Sequence, residues 1–176
     1  MSHDDPHGFI LPDVLETGLA LVFCGTAAGT RSARDSAYYA HPGNMFWRTV
    51  HAVGLTPRLL APAEYPVMPG FGIGLTDLSK FHYGNDAELP RDAFDVAALH
   101  EKLARFAPRA LAFTSKQAGR SALGRPVGFG RQAVDIGHTA VFVLPSPSGQ
   151  ARRSWDIEPW RQLAAFVRDQ PPGVDR

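Results

Sequence analysis

Apolar positions along the chain fall into two rhythms. Continuous apolar runs at Leu19–Cys24, Ala110–Ser115 and Ala140–Ser146 predict short strands buried on both faces, the pattern of a parallel sheet. Gly70–Leu78 predicts another, interrupted by glycine and ending near Asp77. Between the runs the spacing changes. Phe46, Trp47, Val50 and Val53 recur at helical intervals within Gly43–Gly54, with Gly54 as the stop. Asp95–Pro108 is the clearest amphipathic helix, and Asp156–Asp169 makes the last one. Strands alternating with helices predict an α/β fold around a central, mostly parallel sheet. The segment up to Gly8 and the ending "DQPPGVDR" read as frayed termini.

In such sheets ligands bind beyond the carboxyl ends of the strands. Three loops leave strand ends and bear searching: Gly25–Ala33, Asp77–Asn85 and Pro145–Arg153. Composition narrows the chemistry only a little. With 176 residues, 20% charged and a net charge of +1, the chain is sized for one domain with a proper core. A polyanionic partner would need locally concentrated charge. The single cysteine, Cys24, excludes an internal disulfide and lies on an apolar run. No apolar run approaches a membrane span, and the first nine residues do not form a signal peptide, so a soluble cytoplasmic protein is expected.

Each loop has a chemical and a bland reading. Gly25 and Gly29 could present backbone N–H groups to an anion, yet the spacing fits neither a Walker nor a Rossmann pattern, and a tight strand-to-helix turn suffices. "YYAHPGNMFW" (Tyr38–Trp47) sets an aromatic face beside imidazole and amide groups, which suits a flat heterocycle. Alternatively, the tyrosines cover a core edge and Asn44 caps the next helix. "LPSPSGQARRS" (Leu144–Ser154) combines hydroxyls, a glycine, Arg152 and Arg153, a set suited to phosphate or simply to solvent. His51 reads as a helix-face residue. His82, His100 and His138 show no metal-ligand spacing, and no G-x-S-x-G elbow is present, so neither a metal nor another cofactor is expected.

Taken in order, "GLALVFCGTAAGTRSA", "AHPGNMFW", "GIGLTDLS" and "VLPSPSGQAR" resemble the uracil-DNA glycosylase superfamily, and most closely its mismatch-specific uracil-DNA and thymine-DNA glycosylase branch. The likeness runs from about Leu11 to Asp169, within a single domain. It implies a three-layer α/β/α sandwich on a four-stranded parallel sheet, with no cofactor. It also implies an enzyme that extrudes a base from DNA and cuts its N-glycosidic bond. By this likeness Tyr39 stacks on the flipped base; Gly25, Thr26, Ala27 and Asn44 surround it; and Ser146, Ser148, Gly149, Gln150 and Arg152 hold the DNA.

The first motif departs from the family. Ala27 stands where the typical Gly-Ile-Asn-Pro-Gly motif has the Asn that positions water, and Ala28 replaces its Pro. Leu144 stands where several branches carry a His that donates to the leaving base. The candidates to supply the missing group are Asp77, then Asn44 and His41, then Asp35. The expected function is a monomeric, monofunctional glycosylase acting on uracil-containing DNA, because Lys80 is the only lysine in the three loops and a Schiff-base step has little support. A lesion-binding protein of the same fold with weak or no activity remains open, as does an enzyme acting on a free nucleobase or nucleotide.

Overall fold

The computed structural model describes residues 7–169. The readings on the extreme termini therefore lie mostly outside the described residues. Within them the strands are β1 (Leu21–Gly25), β2 (Ile73–Asp77), β3 (Ala110–Phe113), β4 (Gly130–Arg131) and β5 (Ala140–Val143). They form one sheet in the order β2-β1-β3-β5-β4, parallel throughout except for the antiparallel β4–β5 pair. The expected four parallel strands are present, and β4 corrects the strand number to five. A strand of two residues carries no periodicity for sequence reading to detect. It exists because β5 has an open edge to pair with.

Every residue of β1, β2, β3 and β5 is buried, because helices cover both faces. On one face α2 (Phe46–Ala52) and α5 (Glu158–Asp169) pack Phe46, Val50, Trp160 and Leu163 against Phe23, Leu75 and Phe142. On the other, α3 (Val96–Phe106) and α4 (Lys116–Leu123) pack Leu99, Leu103 and Ala118 against Val22, Leu111 and Val143. The outcome is a three-layer α/β/α arrangement.

Two short α-helices were not legible in the sequence, α1 (Thr30–Asp35) and α4, nor were the 3-10 turns at Pro62–Phe71, Asp86–Glu88 and Gly149–Ser154. Neither α-helix shows a clear apolar stripe. α4 instead approaches the sheet through small residues, and a Cβ on Gly119 would lie 2.8 Å from Val143 Cγ2. Gly74 has a related purpose within β2. A Cβ there would lie 2.6 Å from the Val14 carbonyl, so the glycine lets residues near Val14 cover the sheet's outer edge through the Val14–Leu75 bridge.

Helix α2 starts at Phe46, later than Gly43, because the preceding residues are engaged in the loop. The Asn44 side chain accepts from the Phe46 N–H at 2.9 Å, and the Met45 N–H donates to the Pro147 carbonyl at 2.8 Å. Two buried indoles fasten neighbouring loops. Trp47 donates to the Tyr38 carbonyl at 3.0 Å, and Trp160 donates to the Pro145 carbonyl at 3.1 Å. The core thus holds the segments that leave the strands.

Candidate active site at the carboxyl ends of the strands

The loops after β1, β2, β3 and β5 enclose a cleft of about 800 Å³. Gly25, Thr26, Ala27, Tyr39, His41, Asn44 and Asp77 line it, together with Ser146, Ser148, Gly149 and Gln150. Parallel register brings these groups together: Gly25 at the end of β1 is paired with Asp77 at the end of β2. The Leu78 and Ser79 N–H groups donate to the Gly25 and Thr26 carbonyls at 2.9 and 2.7 Å, so the two exits run side by side.

Asp77 is 7% exposed and lies at the cleft floor. Burial pushes its carboxyl up to about 6, against the opposing pull of Lys80, Lys102 and a hydrogen bond from the Gly25 backbone. It is therefore mostly ionised at neutral pH and close enough to its midpoint to exchange a proton. A Cβ on Gly25 would lie 2.6 Å from Asp77 Oδ1, 3.5 Å from Thr114 Oγ1 and 3.5 Å from the Tyr39 hydroxyl. The missing side chain at position 25 leaves room for three polar groups to converge.

Tyr39 adopts a left-handed backbone with φ of 52°, a conformation that costs a non-glycine residue of order 1–3 kcal/mol. It is held there from both sides. The Ala40 N–H donates to Ser32 Oγ at 3.0 Å, and the Tyr39 and Thr114 hydroxyls share a hydrogen bond of 3.2 Å. The ring stacks on Phe46 with centroids 3.9 Å apart and planes 15° from parallel. Phe46 thus occupies one face of the ring. Tyr38 behaves differently: it is buried, donates to the Pro12 carbonyl at 3.1 Å and accepts from Lys80 Nζ at 3.0 Å. Covering the core edge is its place.

Asn44 and His41 both line the cleft, but each has one polar atom committed. His41 Nδ1 accepts from the Gly43 N–H at 2.9 Å, leaving Nε2 as the other ring nitrogen for a ligand. The serines of the third loop build its turn, with Ser146 Oγ accepting from the Ser148 N–H and Ser148 Oγ from the Gln150 N–H. Gly149 lets this loop come close to the second, since a Cβ there would lie 3.2 Å from the Gly43 carbonyl oxygen. Arg152 is exposed beside the loop, outside the cleft lining.

Asp35 does not join the site. It ends α1, outside the lining, where Arg31 and Arg34 bind its carboxylate at 2.6 and 3.2 Å. Those guanidinium groups hold its carboxyl below the usual range. Leu144 is fully buried in the core and offers the cleft nothing. Thr114, Ser115 and Asp86 also line the cleft, and no sequence motif singles them out. Thr114 and Ser115 follow β3, at a strand end to which the same ligand-binding rule applies. Asp86 accepts a hydrogen bond of 2.8 Å from Thr26 across 60 residues of chain, and no local pattern announces that contact.

The molecule is thus a three-layer α/β/α protein with a polar cleft at the carboxyl ends of its parallel strands, lined by a buried carboxylate and a tyrosine. Comparison with known proteins gives the class. The family model of the uracil DNA glycosylase superfamily matches residues 12–167. The chain belongs to that superfamily. Its fold is similar to the solution NMR structure of a "putative Uracil DNA glycosylase" from Methanosarcina acetivorans, with a TM-score of 0.58 and 24% identity over 90% of this chain and 95% of the other.

Proposed function

We propose that this protein is a monofunctional DNA glycosylase that flips uracil out of DNA and hydrolyses its N-glycosidic bond, leaving an abasic site. The observation that carries the reading is the buried Asp77 carboxylate on the cleft floor, within the same small volume as the Tyr39 hydroxyl. Family membership makes DNA the substrate class. The wording of the motifs at Leu19–Cys24 and His41–Trp47 supports a reading within the mismatch-specific uracil-DNA and thymine-DNA glycosylase branch.

In this reading the extruded base enters the cleft beside Tyr39, and the Ser146–Gln150 loop with Arg152 holds the strand. Asp77 orients a water molecule toward C1′. As the water oxygen bonds to C1′ and the C1′–N1 bond breaks, the electron pair leaves with uracil as its anion. Asp77 takes up the water's proton, and its charge offsets the positive charge that develops on the sugar. Ala27 can do neither, so the role passes across the sheet from β1 to β2. Backbone N–H groups at the cleft floor stabilise the departing anion. Asn44 and His41 are second-rank candidates for contacting base or water.

The test is release of free uracil from a labelled oligonucleotide, against matched substrates carrying hypoxanthine, xanthine or a thymine mismatch. Release from the uracil strand is expected, and it should persist in EDTA. Salt-sensitive binding without release would instead favour the lesion-binding reading, to which Ala27 and the buried Leu144 lend weight. Neither binding nor release would leave a free nucleobase or nucleotide as the ligand.

A further inference from the structure

A cluster of charges lies behind Asp77 at the outer edge of the sheet. Asp13 Oδ1 accepts from Lys80 Nζ at 2.9 Å and from the Thr76 hydroxyl at 2.7 Å, while Oδ2 accepts from Lys102 Nζ at 2.8 Å. The Lys80 side chain is only 5% exposed, and its ammonium also donates to the Tyr38 hydroxyl and lies over the Phe9 and Tyr38 rings. Its backbone is pinned as well, since its carbonyl accepts from the Ile10 N–H at 2.7 Å.

One carboxylate here serves two ammonium groups. The set carries a net positive charge in a region where charges are poorly solvated, and burying an uncompensated charge is costly. Thr76, which bonds Asp13, directly precedes Asp77 on β2, and Lys80 follows three residues later. Among the described residues Asp77 has no ion pair of its own. Cys24, Tyr38 and Tyr39, which feel the Asp77 charge, stay neutral because burial and that charge push them up. Half-buried Asp13 and buried Asp77 together balance the two lysines only if Asp77 is an anion.

We propose that Lys80 and Lys102, joined through Asp13, are positioning residues that hold Asp77 as an anion on the cleft floor. This rests on the role given to Asp77 in the proposed function. Neither lysine touches substrate. Lys80 is committed to Asp13 and Tyr38, which removes it as an amine nucleophile and assigns it an electrostatic purpose.

The experiment is a titration of the Asp77 side-chain carboxyl by ¹³C NMR in the full chain, alongside the pH profile of uracil release. Lys102→Met and Lys80→Met should each move the Asp77 midpoint upward by at least about half a pH unit. Excision near pH 6 should fall about twofold or more, with the high-pH plateau retained. Lys102→Arg should restore the wild-type midpoint, and Asp13→Asn should lower it. If Lys80→Met does not fold, Lys102→Met decides alone, because its side chain is more open. Midpoints that stay put in the lysine variants overturn the proposal, even if rates drop at every pH. If the wild type releases no uracil, the proposed function fails, and the NMR titration still judges the lysines.

Discussion

Gly25 and Asp77 face each other across the β1–β2 pair, and a Cβ on Gly25 would lie 2.6 Å from Asp77 Oδ1. The obstructing atom is the tip of a side chain, which can swing aside without unfolding the sheet. Gly25→Ala should therefore yield a folded protein with a displaced carboxylate. Excision is expected to fall by about a hundredfold or more, the scale of one well-placed catalytic group. Thermal melting should move by only a few degrees, and a retained rate would detach Asp77 from the chemistry.

The pH dependence follows from the same carboxylate. In the proposed mechanism its ionised form is the active one, and its midpoint lies at about 6. Excision should be flat above that midpoint and fall about tenfold per pH unit below it. Asp77→Asn should cost about a hundredfold at neutral pH and abolish the acid limb, with DNA binding intact. Single-turnover rates between pH 4.5 and 8.5 provide the check. A profile unchanged by Asp77→Asn would pass the role to His41 or Asn44.

Stability should move in the opposite direction to activity. Asp77 holds its proton more tightly in the folded chain than an unfolded aspartate does, so folding loses stability as pH rises from about 4 to about 6 and carries the full penalty above that. Asp77→Asn should thus be more stable than wild type at neutral pH, by at most about 3 kcal/mol at 1.36 kcal/mol per unit. The advantage should vanish below about pH 4. Denaturant melts of both proteins at pH 4 and pH 7.5 measure it. Equal stability at both values would mean the carboxylate carries no burial penalty.

Tyr39 presents a ring already backed by Phe46 at 3.9 Å. Stacking a base on such a platform is worth roughly 1–3 kcal/mol. Tyr39→Ala should cut excision by about one to two orders of magnitude, at about 1.4 kcal/mol per tenfold. Tyr39→Phe should keep the stack and lose only the Thr114 hydrogen bond, with an effect of about tenfold or less. Kinetics of both variants on one uracil oligonucleotide separate ring from hydroxyl. Wild-type rates in Tyr39→Ala would move the platform elsewhere.

The chain's local patterns already announce its frame. Leu19–Cys24, Ala110–Ser115 and Ala140–Ser146 read as strands because full burial on both faces demands unbroken apolar side chains, and this requirement is written residue by residue. The place of Asp77 was legible too, at the end of the glycine-interrupted run Gly70–Leu78, where parallel sheets bind ligands. Other features depend on which strands become neighbours. The order β2-β1-β3-β5 sets Asp77 beside Gly25 and brings Thr114 near both, a convergence from three distant stretches of chain. Asp35, close to the first loop in sequence, is carried away by the turn of α1 and captured by Arg31 and Arg34. Lys80 and Lys102 meet on Asp13 because β2 lies at the sheet edge, where the segment around Val14 covers it. Hydrophobic periodicity reports only whether a position faces the core. Which charged groups share a buried space is settled by packing between elements far apart in the chain, and it took the assembled sheet to bring them together.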